Sequence, residues 1–351
     1  MLADMTDYLI LLAPSSNRVY SGSADTLVAA ELEVMCGGLP GEPPTIEPVT
    51  VAGVGYLQLS LPELGAETTA ALSRLSALFA VFERVGDQLR PIEVSKPDLF
   101  DDDLVSIPKY QGKTNEQFTR LLLNVTLASL QRPQEAPLSI LDPLCGRGTT
   151  LSTGLIFGHD VAGVEGDLKA VEAYAAFLRT YLRRKRLKHS AEMSPVRRDG
   201  KSLGRRLDVE VTPPRTSPSA SGPGRPLSLT VFSGDTRQSL ALYGKRRFDA
   251  VVTDAPYGVV HGSHTDVRGV SGKRDRSPAG LLRDAVGVWA QQLKKGGALG
   301  LSWNTYGLSR EDLTAIAEKA GLQACADGPY LRFGHRVDSS IYRDLFVAVK
   351  V

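Results

Sequence analysis

Apolar positions along this 351-residue chain change style near residue 95. Before it, short apolar runs alternate with turns. Tyr8 to Ala13 reads as a strand, closed by Pro14-Ser15-Ser16-Asn17. Thr26 to about Met35 has a helical stripe, with Ser23 or Asp25 as its cap, and the glycines and prolines from Gly37 to Pro48 end it. Val49 to Leu61 alternates at Val51, Val54, Tyr56, Leu57 and Leu59, which predicts one or two strands. Thr68 to Arg84 reads as an amphipathic helix. These elements predict a small α+β domain over residues 1–95, then a linker over 96–109 that holds Asp101-Asp102-Asp103.

Beyond residue 110 strands and helices alternate. Strands are predicted at Ser139–Leu141, Val161–Val164, Leu227–Phe232, Phe248–Thr253 and Ala298–Ser302, with Leu322–Ala326 and Leu345–Val351 as a final antiparallel pair. Helices are predicted at Gln117–Leu130, Thr149–Phe157, Leu168–Leu187, Pro278–Leu293 and Arg310–Ala320. Such alternation calls for an α/β fold, a doubly wound, seven-stranded Rossmann-like sheet over residues 110–351. Residues 189–226 show little periodicity and include a Pro/Ser/Gly-rich run, so a basic disordered insertion is expected there.

Two loops carry the chemistry. The first, Asp142-Pro143-Leu144-Cys145-Gly146-Arg147-Gly148-Thr149-Thr150, follows a strand and opens a helix. Gly146 and Gly148 let the backbone approach a ligand, Thr149 is a candidate cap for the helix, and Asp142 can take an ammonium directly or through water. Glu165 and Asp235, at the next two strand ends, are suited to ribose hydroxyls and an adenine amino group. The dinucleotide fingerprint Gly-x-Gly-x-x-Gly is absent, because Thr-Thr-Leu follows the second glycine. The second loop, Asp254-Ala255-Pro256-Tyr257-Gly258, can hold an exocyclic amino group. Its carboxylate and a carbonyl near Pro256 accept the two amino hydrogens, and Tyr257 can stack on a ring. Together the loops predict methyl transfer from S-adenosylmethionine to nitrogen, driven by orientation and electrostatics.

These residues resemble the tRNA guanine-N2 methyltransferases of the position-10 guanosine type, within the nitrogen methyltransferases that carry an Asp-Pro-Pro-Tyr loop. The segment Tyr110-Gln111-Gly112-Lys113-Thr114-Asn115-Glu116-Gln117-Phe118 is similar to the family's lead-in helix, and the two loops are similar to its cofactor and target loops. The resemblance covers roughly Ile107 to Val351. It implies cofactor roles for Asp142, Cys145, Gly146, Gly148, Thr149, Glu165 and Asp235, and catalytic roles at the target for Asp254, Pro256 and Tyr257. Ala255 stands where the family has its first target-loop proline. About 95 residues are also too few for the family's full RNA-binding region.

Charge bears on the substrate. Residues 1–95 hold 12 acidic and 4 basic residues, whereas 183–226 hold 12 basic and 4 acidic. The first segment should repel phosphates and the second attract them. Lys113, Asn115 and the run Arg183-Arg184-Lys185-Arg186 are therefore candidate substrate contacts, with Lys109, Arg268, Lys273, Arg274 and Arg276 as further cations. The expected partner is nucleic acid, tRNA first. Methylation of DNA or of a small aromatic amine is the alternative, and a non-catalytic cofactor-binding subunit is a second. His261, His264 and Asp266 fall in a polar stretch read as a lid, and Trp303 reads as core. Cys36, Cys145 and Cys325 lack metal or redox spacing, so no metal is expected. No apolar run reaches membrane-spanning length and the start lacks a basic secretory signal, which predicts a cytoplasmic protein with no membrane partner. A homodimer or a helper subunit stays open.

Overall fold

The computed structural model describes residues 5–15, 17–39, 43–132, 137–198, 201–214, 225–257 and 278–351. An antiparallel sheet forms first, from β1 (Thr6–Leu12), β2 (Thr45–Val51), β3 (Val54–Leu61), β4 (Leu78–Val85) and β5 (Gln88–Ile92), in the order β2-β3-β1-β4-β5. Pro48 and Pro91 lie in its two edge strands, where a missing amide donor costs least. With it go helices α1 (Arg18–Ser21), α2 (Ala24–Cys36) and α3 (Ala66–Arg74). Val28, Leu32 and Cys36 of α2 share a core with Ile10, Leu57, Leu59 and Val81.

The helix expected over Thr68 to Arg84 is corrected, because α3 stops at Arg74 and Leu78–Val85 is a strand. A long-range contact ends it. Ser76 gives its amide (3.0 Å) and hydroxyl (2.5 Å) to the buried carboxylate of Glu31 on α2. Residues 96–109 pack down. Asp98 and Asp102 pair with Arg120 at 2.5 and 2.7 Å, and α4 (Asp103–Ser106) buries Leu104 and Val105.

The second sheet holds β6 (Ser139–Asp142), β7 (Asp160–Glu165), β8 (His189–Arg198), β9 (Lys201–Val211), β10 (Leu227–Ser233), β11 (Phe248–Asp254), β12 (Leu293–Asn304), β13 (Leu322–Ala324), β14 (His335–Arg336) and β15 (Tyr342–Lys350). Its order is β13-β15-β12-β11-β6-β7-β10-β9-β8, with β14 paired to β15. The five central strands β10, β7, β6, β11 and β12 are parallel. Helices α5 (Glu116–Ala128), α6 (Thr149–Ile156) and α7 (Leu168–Arg184) contribute to the core on one face, while α9 (Pro278–Gln292) and α10 (Arg310–Lys319), preceded in the chain by the short α8 (Ser239–Tyr243), contribute to the other. Strand β11 shows the division: Ala250 and Val252 join the first core, and Val251 joins Trp289 in the second. This is a doubly wound α/β fold.

The disordered insertion expected over 189–226 is corrected too. Residues 189–198 and 201–211 form a hairpin that pairs antiparallel with β10 and widens the sheet. Its signal is the alternation of Leu207, Val209 and Val211, all buried, hidden among charged neighbours. The low-complexity residues 215–224 lie outside the described residues.

Chain direction across the sheet reverses between β6 and β11. Successive strands run outward from β6 to β7 and β10 on one side, and from β11 to β12 on the other. A crevice at the carboxyl ends of such a switch point is where doubly wound folds take their ligands.

Candidate active site

Both loops singled out in the sequence leave the sheet at that crevice, since β6 ends on Asp142 and β11 on Asp254. They touch through side chains. Thr253 donates its hydroxyl to Asp142 Oδ1 at 2.8 Å, which ties the end of β11 to the end of β6.

In the first loop Gly146 and Gly148 take left-handed torsions, φ 51° and 78°. They differ in surroundings. A Cβ on Gly148 would lie 2.3 Å from a Tyr174 ring carbon, whereas one on Gly146 would meet nothing within 4 Å among the described residues. Gly148 therefore serves packing, and Gly146 leaves an open backbone surface. The expectation that Thr149 caps α6 is corrected: the cap position is Gly148, and Thr149 shares a 2.8 Å hydrogen bond with Tyr110. Among the described residues, no side chain caps the α6 N-terminus, an arrangement that suits an anionic ligand. Arg147 stacks over the Tyr110 ring at 5.1 Å. Cys145 is buried, its thiol pushed up by burial, and its amide bonds to the Val164 carbonyl.

The three carboxylates at strand ends fare differently. Asp142 is enclosed, accepting from the Leu144 amide at 3.1 Å as well as from Thr253. Burial raises its carboxyl to about 7, partly opposed by those hydrogen bonds. It organises the loop. Glu165 accepts the Gly146 amide at 2.9 Å and the Asp167 amide at 2.8 Å, so it links the first loop to the turn that opens α7. Asp235 makes a two-point contact with the guanidinium of Arg237, at 2.9 and 2.6 Å.

In the second loop Asp254 is a hub. Its Oδ2 accepts the Thr114 hydroxyl at 2.5 Å, and its Oδ1 accepts the hydroxyls of Ser302, at 2.6 Å, and Tyr257. Ala255 is buried and donates its amide to the Ser302 carbonyl, which seats the loop on β12 without the missing proline. Pro256 is exposed beside it. Tyr257 departs from the expected free stacking platform. Its phenol turns inward, with its hydroxyl's acidity suppressed by burial and by Asp254, and the Arg343 guanidinium lies 5.0 Å from its ring centre. Arg343 also lies 4.5 Å from the Phe118 ring, so it is sandwiched between α5 and the Asp254 loop.

The lead-in segment contributes Tyr110, on Thr149 and Arg147, and Thr114, on Asp254, and neither is among the candidate contacts the sequence singled out. Lys113 bonds to the Val105 carbonyl and to Glu116. Asn115 caps α5 through the Phe118 amide and bonds to Ser15. Thr114, between them, reaches Asp254. Ser302 and Arg343 were likewise missed, since nothing local marks a serine at a strand end or an arginine within a strand. The run Arg183 to Arg186 is not brought to the crevice. It ends α7 just before β8, whose first residues pair with Val211 at the far, amino end of β10, and Lys185 pairs with Asp101 and Asp103 at 2.7 and 2.6 Å. Trp303 is core, as expected, and donates to the Leu308 carbonyl. Gly258, His261, His264, Asp266, Arg268, Lys273, Arg274 and Arg276 lie outside the described residues. Among the described residues, no helix is long and apolar enough to cross a membrane.

No protein-family model matches the chain, and no curated protein sequence does. Among solved structures the chain is similar to TrmN from Thermus thermophilus, at 13% identity and a TM-score of 0.44, covering 99% of this chain and all of that one. It is similar to the T. thermophilus 16S rRNA N2 G1207 methyltransferase RsmC, in complex with AdoMet and guanosine, at 17% identity and 0.36, over 88% of this chain and 58% of that one. A third is a putative RNA methyltransferase, PH1948, from Pyrococcus horikoshii, at 14% identity and 0.37, over 72% and 90%. Likenesses this distant assign no activity to the chain.

Proposed function

We propose that the chain is an S-adenosylmethionine-dependent nitrogen methyltransferase that acts on an exocyclic amino group of a nucleobase, guanine N2 in tRNA. The observation that carries this reading is the meeting of a Gly-rich cradle and an Asp-x-Pro-Tyr loop at one switch point, joined by Thr253 and Asp142. The choice of guanine and of tRNA rests on the sequence resemblance.

The first loop fits the cofactor. Its open backbone at Gly146, the uncapped α6 N-terminus and the remaining lone pairs of Glu165 can hold an amino acid and a ribose. Asp235 accepts four hydrogen bonds from Arg237, so taking an adenine amino group requires Arg237 to yield one of them. Bound there, the cofactor supplies an electrophilic methyl group.

The second loop supplies acceptors. An ionised carboxylate has about four lone-pair sites. Asp254 Oδ1 already takes two hydroxyls, whereas Oδ2 takes one and keeps room for an amino N–H. Accepting that hydrogen draws the nitrogen lone pair out of ring conjugation. The proton shed after alkylation then has Oδ2 as an acceptor already bonded to it. Three hydroxyls fix the carboxylate beforehand, so little reorganisation remains for the reaction itself.

The test is incubation with radiolabelled cofactor and total tRNA, DNA or a metabolite extract, alongside Asp254→Ala. Label is expected in tRNA and lost in the variant. Label confined to DNA or small molecules would move the substrate to the alternatives, and incorporation that survives Asp254→Ala would overturn the role given to this loop.

A further inference from the structure

The hairpin of β8 and β9 has a fixed root. Gly204 of β9, at φ 133°, approaches the end of β10 so closely that a Cβ would lie 2.1 Å from the Ser233 carbonyl. The Arg205 amide donates to Ser233 Oγ at 2.8 Å, and the Arg206 guanidinium stacks 5.3 Å from the Phe232 ring. The register, Phe232 against Arg206 and Val196 against Gly204, sets how far the hairpin extends. Beyond Ser233 it continues through Arg197, paired with Ser202, and Arg198, paired with Lys201. Three residues past Gly204 make about 10 Å of projection.

That projection is on the carboxyl-end side, the side of both ligand loops. It is also where the segment's positive charge collects. Residues 196–206 hold Arg197, Arg198, Lys201, Arg205 and Arg206 against the single acid Asp199. Arg205 and Arg206 have carboxylate partners in Glu172 and Asp208, while Arg197 is exposed and has no ion pair among the described residues. The other basic cluster, Arg183 to Arg186, sits at the opposite end and is partly neutralised by Asp101 and Asp103.

We propose that this hairpin is a docking arm for the phosphodiester backbone of a polynucleotide, engaged while a base from the same molecule occupies the Asp254 loop. Four strand-to-strand steps separate β9 from β11 in the sheet order. At about 4.8 Å each they span about 19 Å, roughly six steps of a duplex at 3.4 Å. A mononucleotide cannot reach both places, and a folded RNA can. The proposal rests on the nucleobase reading of the Asp254 loop for its second contact. Its binding surface can be tested without catalysis.

The experiment compares the full chain with Arg197→Ala/Arg198→Ala/Lys201→Ala in a salt titration of tRNA binding. A companion variant, Arg197→Lys/Arg198→Lys, keeps the charge. Each phosphate contact contributes about one to the slope of log affinity against log salt. The alanine variant is expected to lose about two to three from that slope and to bind at least tenfold more weakly at low salt, while the lysine variant stays close to the parent. Parallel arms use duplex DNA and phosphatidylserine vesicles. A loss on tRNA or on DNA supports the arm and identifies its polynucleotide. Unchanged polynucleotide binding with an unchanged slope overturns it, as does an effect confined to vesicles. If the arm variant loses tRNA binding while no substrate takes up methyl label, the docking surface stands and the enzymatic reading falls.

Discussion

Thr114 and Asp254 are 140 residues apart, yet their side chains meet at 2.5 Å, hydroxyl to carboxylate Oδ2. The contact makes the entrance of α5 part of the surroundings of Asp254. Thr114 touches Asp254 and is assigned as a positioning residue. A hydrogen bond to a charged group is worth about 1.5–3 kcal/mol. Thr114→Val should therefore lower kcat roughly ten- to hundredfold, with the cofactor KM unchanged. Thr114→Ser should recover most of the loss. A kcat within twofold of the parent for Thr114→Val would remove the residue from the site.

The two loop glycines should separate stability from binding. Gly148→Ala combines a left-handed torsion with a collision against Tyr174, and should cost about 2–4 kcal/mol in denaturant unfolding. Gly146→Ala carries only the torsional penalty, about 1 kcal/mol, and should instead weaken calorimetric binding of the cofactor. Equal stability losses for both would contradict the packing contrast.

Arg343 presents a balance of opposing effects. Its guanidinium is buried between Phe118 and Tyr257, and among the described residues it has no carboxylate within ion-pair distance. Losing two cation–π contacts costs about 1–2 kcal/mol, and removing a buried charge that has no ion pair among the described residues returns a similar amount. Arg343→Met should therefore leave the thermal midpoint nearly unchanged and lower kcat about tenfold by releasing Tyr257. A large drop in stability with normal turnover would reverse this assignment.

Stability should also depend on pH through Glu31. Burial raises its carboxyl from 4.5 to about 7, against the hydrogen bonds from Asn124 and Ser76. The folded protein thus holds this proton where the unfolded chain has released it. The associated stability is complete below about pH 4.5 and is lost as pH rises toward 7, about 3 kcal/mol in all. Asp142, raised from 3.8 to about 7, adds a slope of the same sign. Glu31→Gln should flatten, without abolishing, the fall of the unfolding free energy between pH 4.5 and 7. An unaltered slope would rule Glu31 out.

What could be read from the sequence was whatever is local. The strand ends that carry Asp142, Glu165 and Asp254 follow from apolar runs bounded by turn residues, because buried parallel strands have that signature. The end of α3 was not legible, since it depends on Ser76 finding Glu31, 45 positions away. The hairpin was missed because β8 is an edge strand with polar residues on much of its length, and only β9 carries the buried alternation. Around Asp254 the carboxylate itself could be foreseen. The hydroxyls that hold it, on Thr114 and Ser302, come from elements brought together only by the sheet order.

The acidic sheet at the start of the chain is not a passenger that could be trimmed away. Asn124, on α5, gives its amide to Glu31 at 2.7 Å and to the Arg74 carbonyl at 2.7 Å, while Asn115 and Gln117 at the other end of the helix bond to Ser15 and the Ala13 carbonyl at 3.1 Å each. At 1.5 Å per residue this helix is a strut about 20 Å long. Both of its ends are moored to the first 75 residues, and its entrance aims Thr114. A fragment that began at residue 96 would keep every residue of the two loops, yet the helix that aligns them would have lost its moorings.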